Sequence, residues 1–268
     1  MFRASNVEYE YDTPTDQHFI DESGECIDQG GIHIVRYHVD DDASVLLHCH
    51  GNNVNLSVRQ YMIDLAKIFG LNLILFDYHG YGKSHGTTSV KHLRADALAA
   101  YRYTASIYDA NKIIIYAESL GGFLGSWLAS KYKCSKLIVV SGFSSIEDMM
   151  LCSGVSQFLV FPFAIILRIS GDTLPTKTML KNVKVPTLIV HSAEDTIISY
   201  RNALINFKNC GSKKKKLMKI TGGHANPIFK PEQVRDLLKF LGVDLKLITD
   251  KKIDGVLDVL SKVDMNGC

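Results

Sequence analysis

The sequence predicts an α/β fold, with a mostly parallel central sheet and helices on both faces. Three observations predict it. Short β-branched runs alternate with amphipathic stretches, the pattern of strand–helix–strand units. Most of the runs are apolar almost throughout, as strands covered on both faces should be. The chain, 268 residues long, can bury a single core of this kind.

The expected strands are Ile32–His38, Ser44–Cys49, Leu71–Phe76, Lys112–Ala117, Lys136–Val140, Thr187–His191 and Lys216–Ile220, with an early antiparallel piece at Val7–Tyr11. Helices fit between them. Val54–Phe69 follows the first buried strand. Val90, Leu93, Ala97, Tyr101, Thr104 and Tyr108 recur at steps of three or four, which builds one helical face. Ser119–Tyr132 reads as a helix whose Gly121, Gly122 and Gly125 allow close packing on the sheet. Tyr200–Phe207 and Pro231–Leu241 follow, and Pro231 suits a first helical turn. The reading is one domain over 1–268, with its core at about 44–241. A cap-like insertion is expected at about 143–182, holding the apolar run Phe158–Leu167, and an extra C-terminal helix at about 245–263. The apolar run reads either as a plain core helix or as part of an acyl pocket.

Composition narrows the function. Lysine and arginine (30) nearly balance aspartate and glutamate (28), which gives no reason to expect nucleic acid as a partner. The basic run Lys213–Lys216 reads as a solvated strand edge or loop, with peripheral membrane contact as the alternative. The six cysteines form no C-x-x-C pair, so a reducing, cytoplasmic setting is expected. The N-terminal stretch has no signal-peptide core, and no apolar run is long enough to span a bilayer. The sequence is silent on oligomeric state.

The chemistry centres on Ala117-Glu118-Ser119-Leu120-Gly121-Gly122. This stretch follows an apolar strand and opens a helix, the context of a nucleophile elbow. So sharp a turn needs small residues two places before and after the serine, and Ala117 and Gly121 supply them. Taken alone, Ser119 could equally be a helix cap. A serine hydroxyl also needs a base. Downstream, Asp195 follows the strand ending at His191, and His224 follows the strand ending at Ile220. Nucleophile, acid and histidine therefore each emerge past a strand's carboxyl end, on one edge of the sheet. Glu147 and Asp148, past the strand ending at Val140, are the alternative acids. Oxyanion donors are expected from the backbone N–H of Leu120 and from that of Asn52, in the loop after Ser44–Cys49. His48, His50, His79 and His85 read as packing and loop-anchoring groups, and no metal or organic cofactor is expected.

His50-Gly51-Asn52, the stretch Phe76-Asp77-Tyr78-His79-Gly80-Tyr81-Gly82-Lys83-Ser84, the Ser119 elbow, Asp195 and His224 together resemble the α/β-hydrolase superfamily. The Asp77–Ser84 stretch is similar to one eukaryotic branch, the α/β-hydrolase-domain serine hydrolases that include protein depalmitoylases. The likeness covers roughly Ser44–Leu241. It implies the α/β-hydrolase fold with a short cap. Ala117 and Glu118 depart from the commoner elbow, and the N-terminal cysteine cluster that anchors the known depalmitoylases to membranes has no counterpart here. In physical terms Asp77 is expected to fix loop amides, while Gly80 and Gly82 permit tight turns.

The activity expected is hydrolysis of a carboxylic ester or thioester, with a small-molecule or acyl-ester substrate. Peptidase or acyltransferase chemistry on the same triad, and a non-catalytic binding module, remain open, because a fold does not fix a substrate.

Overall fold

The computed structural model describes residues 10–52, 55–170 and 173–262, and within them leaves out the side chains of 162, 163, 166–170 and 245. The strands are β1 (Asp16–Ile20), β2 (Cys26–Ile27), β3 (Ile32–Tyr37), β4 (Val45–Cys49), β5 (Asn72–Phe76), β6 (Ile113–Glu118), β7 (Lys136–Val140), β8 (Thr187–Ser192), β9 (Lys215–Gly222) and β10 (Pro227–Ile228). They form one sheet in the order β10-β9-β8-β7-β6-β4-β5-β3-β1-β2. The six neighbours from β9 to β5 run parallel. The remaining pairings are antiparallel.

The helices are α1 (Gln60–Phe69), α2 (Val90–Ile107), α3 (Gly121–Lys131), α4 (Ile146–Cys152), α5 (Gln157–Ser170), α6 (Thr176–Leu180), α7 (Arg201–Asn209), α8 (Pro231–Leu241) and α9 (Asp250–Ser261). Alternation along the strands divides the core. Leu47, Ile115, Val139 and Ile189 face a cluster that includes Ala97 of α2, Phe123 of α3 and Ala203 of α7. Leu46, Ile114, Ile138 and Leu188 face Ile63 of α1, Leu237 of α8 and Val256 of α9. Period-two alternation inside wholly apolar strands is what lets helices cover both faces.

Local rules set the helix ends. Ser89 accepts the His92 amide at 3.1 Å to start α2, and Thr249 accepts that of Lys252 at 3.2 Å to start α9. Gly70, at φ +70°, ends α1.

Several sequence boundaries shift. The helix expected at Val54–Phe69 is a 3-10 turn, Leu56–Val58, followed by α1, and Leu71 precedes β5 rather than joining it. Of the antiparallel piece expected at Val7–Tyr11, residues 7–9 lie outside the described residues. Tyr11 is in no strand, but its hydroxyl donates to Leu56 O at 2.8 Å. The basic run begins β9: Lys215 Nζ donates to Phe207 O and Cys210 O, and Lys216 pairs with Asp236.

Between β7 and β8 lie α4, α5 and α6. In α5, Val160 and Ala164 are buried, whereas Phe158 is 81% exposed and Leu159 and Phe161 are each 69% exposed. A plain core helix would bury all of them, so among the described side chains α5 is only partly covered. Among the described residues no helix is long and apolar enough to cross a membrane.

The sheet and α3 meet at glycines. A Cβ on Gly121 would overlap the carbonyl of Cys49, and one on Gly125 would sit 2.6 Å from Ala117 Cβ. This explains the small residues around Ser119: β4 and β6 leave α3 no room for side chains there. Gly121→Ala is expected to cost about 1–3 kcal/mol of folding stability through overpacking. Urea unfolding of the purified variant checks it, and an unchanged midpoint would refute the close approach.

Candidate active site

Ser119 sits between β6 and α3 at φ +50°, a left-handed conformation that non-glycine residues adopt only when their surroundings impose it. Its amide donates to Val140 O at 2.9 Å, and its carbonyl accepts the Gly122 amide at 3.0 Å. Strand pairing on one side and the first helical turn on the other thus fix the serine at the tip.

Asp195 follows β8 and is buried. Its Oδ1 accepts the amides of Ile197 (2.9 Å) and Ile198 (2.8 Å), which curl the loop around the carboxylate. Its Oδ2 lies 2.7 Å from His224 Nδ1 and 3.3 Å from His191 Nε2. Burial pushes this carboxyl up, but the hydrogen bonds from His191 and His224 outweigh burial and hold it well below the usual carboxylate range. His224 follows β9, and its Nε2 lies 3.1 Å from Ser119 Oγ. The loops that carry Asp195 and His224 are tied together: Glu194 Oε2 accepts the Gly222 amide at 2.9 Å, and Ser192 Oγ donates to Gly222 O. Three residues widely spaced in the sequence are therefore joined in one hydrogen-bonded line.

Of the two alternative acids, Asp148 sits elsewhere. Asp148 accepts from Ser144 Oγ at 2.8 Å and pairs with Lys177 at 2.5 Å, which commits it to the cap helices.

The loop after β4 lies against Ser119, since a Cβ on Gly51 would be 3.3 Å from Ser119 Cβ. Asn52 follows, and the Tyr81 hydroxyl donates to its Oδ1 at 2.9 Å. Leu120 stands at the head of α3, where amides have no acceptor inside the helix and the helix dipole favours negative charge. Asp77 does hold a loop amide, that of Leu56, at 3.1 Å, and Tyr78 Oη donates to His50 O at 2.8 Å. Beneath Ser119, burial pushes the Cys49 thiol up to about 12.

Sequence reasoning missed a polar cluster behind the elbow. Glu118 Oε1 accepts from Tyr61 Oη at 2.8 Å, and Oε2 lies 3.4 Å from Arg59 Nη1 and 3.2 Å from His48 Nε2. Arg59 is 1% exposed. Burial holds His48 below the usual histidine range, so at neutral pH the guanidinium of Arg59 is the cation that faces Glu118. Only the unusual glutamate beside the nucleophile hinted at this cluster. His191 was missed too, although it stands four residues before the acid.

A family model described as "Serine aminopeptidase, S33" matches residues 40–182, more than half of the chain. The chain belongs to that family, on the eukaryotic α/β-hydrolase-domain branch of the α/β-hydrolases. The match includes Ser119 but stops short of Asp195 and His224. Mouse "Alpha/beta hydrolase domain-containing protein 17C" is 29% identical over 203 residues, 75% of this chain and 60% of that protein. "Protein bem46" of Schizosaccharomyces pombe is 31% identical over 182 residues, 64% of this chain and 58% of that protein. This α/β-hydrolase thus spans about 60% of the length of the curated relatives it matches. In structure it is similar to a Pyrococcus furiosus esterase, with a TM-score of 0.67 at 14% identity over 90% of this chain and 97% of that one. It is also similar to mouse α/β hydrolase domain-containing protein 10, with a TM-score of 0.59 at 16% identity over 83% and 96% of the two chains. At such identities the structural likeness concerns the fold alone.

The cluster at Glu118 carries a pH consequence. Burial pushes the Glu118 carboxyl up, but His48, Arg59 and Tyr61 bring it down from 4.5 to about 2. A carboxyl depressed on folding stabilises the native state above its unfolded value, and that contribution is lost as pH falls through the folded value. Stability is therefore expected to drop between about pH 4.5 and 2. Urea titrations across this range should show a shallower drop for Glu118→Gln than for the wild type, and equal slopes would refute the depressed carboxyl.

Proposed function

We propose that this α/β-hydrolase is a serine hydrolase that cleaves a carboxylic ester or thioester through an acyl-enzyme on Ser119. One observation carries the reading: Ser119 Oγ, His224 Nε2, His224 Nδ1 and Asp195 Oδ2 form a continuous hydrogen-bonded line, with links of 3.1 and 2.7 Å.

Ser119 Oγ attacks the acyl carbon while His224 Nε2 takes its proton. Asp195 holds the histidine with Nδ1 protonated, so Nε2 is the acceptor, and it steadies the imidazolium that results. The carbonyl oxygen becomes an oxyanion against the amides of Leu120 and Asn52. On collapse, the bond to the leaving alcohol or thiol breaks, and His224 gives that group its proton. Water then attacks the acyl-enzyme and loses a proton to His224, which returns it to Ser119 as the acid departs. None of these steps calls for a cofactor.

An ester or thioester is favoured over an aminopeptidase substrate. An aminopeptidase must hold a terminal ammonium group beside the nucleophile, and a carboxylate is the usual counter-ion. Among the described residues, the carboxylate lining the cavity against Ser119 and His224 is Glu118, which is already engaged by Arg59 and Tyr61. The walls beside it, including Tyr116, Val140 and Phe229, are largely apolar.

Ser119→Ala is expected to reduce p-nitrophenyl ester turnover by several powers of ten and to abolish fluorophosphonate labelling, with the folded state intact by circular dichroism. A variant that retained half the wild-type rate would sink the reading. A wild-type protein that neither labels nor turns over esters and thioesters of graded length would favour a binding module.

The acid assignment is tested separately. Asp195→Asn should lower kcat about a thousandfold or more by favouring the wrong histidine tautomer. Asp148→Asn should change kcat less than about threefold, because its bonds are confined to the cap. Parallel steady-state kinetics decides, and the reverse ranking would move the acid to α4.

A further inference from the structure

The reading of Ser119 as nucleophile leaves the buried Glu118 cluster without a task, and the path of the chain points to one. The loop that carries Asn52 leaves β4 just after His48 and returns at Arg59 and Tyr61, at the start of α1. Both ends of that loop contact one carboxylate. Glu118 lies 3.2 Å from His48 at the departing end, and 3.4 Å from Arg59 and 2.8 Å from Tyr61 Oη at the returning end. Glu118 is also joined by its own peptide bond to Ser119, and Leu120 is next. The two amides that would face an oxyanion thus belong to segments that a single side chain clamps together. On the far side the same loop is held by Asp77, Tyr78 and Tyr81.

The energetics argue against a role in stability alone. Withdrawing a carboxylate and a guanidinium from water carries a penalty that a buried ion pair often fails to recover, and apolar replacements of similar volume are frequently as stable or more so. What a buried charge network adds is a fixed geometry. Geometry matters here, because oxyanion donors act only within a few tenths of an ångström of their target, and Ser119 is held in a conformation it would not choose unaided.

We propose that Glu118, through Arg59, Tyr61 and His48, is a positioning residue that sets the nucleophile elbow against the Asn52 loop and so aligns the two oxyanion donors. The inference rests on the serine hydrolase reading. If Ser119→Ala stays active, that reading fails. If Ser119→Ala is inactive while the Glu118 variants retain full activity, only this inference fails.

The test is steady-state kinetics with p-nitrophenyl esters, joined to inhibition by a trifluoromethyl ketone, whose adduct with the serine carries an oxyanion. In Glu118→Gln, kcat is expected to fall about tenfold or more with KM within about twofold, and Ki for the ketone should rise by the same factor as kcat/KM falls. A kcat within twofold of wild type in the folded variant overturns the proposal. Should Glu118→Gln fail to fold, Tyr61→Phe decides: it deletes one hydrogen bond to the carboxylate, and a coupled loss of kcat and ketone affinity of about threefold or more supports the proposal, whereas unchanged values overturn it. A third protein, Glu118→Leu with Arg59→Met, separates alignment from stability. Alignment predicts a Tm near wild type with kcat still depressed, and recovery of both together would assign the cluster to packing alone.

Discussion

Ser119 is held at φ +50° in a turn squeezed between two strands and a helix, and most of the local sequence follows from that squeeze. Gly121 is bare because the carbonyl of Cys49 occupies the place of its side chain. Gly125 is bare because Ala117 already fills the gap. The strain is contained by the β6–β7 ladder, through the Ser119 amide on Val140, and by the start of α3. The result is a hydroxyl lifted clear of the sheet, at the height where loops from β4, β8 and β9 converge.

Those loops are fastened by different means. The loops that carry Asp195 and His224 are tied to each other, through the side chains of Glu194 and Ser192 on the backbone of Gly222. The loop after β4 depends on side chains from both flanks, tyrosines and an aspartate on one and a buried ion pair on the other. This asymmetry fits their tasks. On the proposed function, an acid and a base must stay in line with each other through proton transfer, whereas an oxyanion site needs an absolute position relative to the serine.

The central strands were legible because covering both faces forces continuous apolar runs, and the runs at Lys136–Val140 and Thr187–His191 lie where expected. The edge strands were not. Asp16–Ile20 pairs with β3 yet begins with exposed polar residues, and Cys26–Ile27 and Pro227–Ile228 are two residues each, too short to leave a period. Ser119, Asp195 and His224 could be picked out because each follows a strand of the sheet, so topology alone sends them to one edge. The cluster at Glu118 could not be. Arg59 in a polar stretch reads as a surface cation, and its partner lies 59 residues away. Pairing across that separation is decided by how α1 docks on the sheet, which no local pattern encodes. The exposed side of α5 was equally hidden, because an apolar run does not reveal how much of a helix its neighbours will cover.

The thiol of Cys49 lies beneath the elbow, fully enclosed, with its proton held tightly by the apolar surroundings. Such a sulfur cannot meet an electrophile in the native state, since the reactive thiolate is scarce and no solvent path reaches it. Any alkylation at Cys49 must wait for the packing between the sheet and the helices on this face to open. The rate at which a maleimide modifies this position is therefore a clock for the opening of the core around Ser119, read out by mass and independent of any substrate.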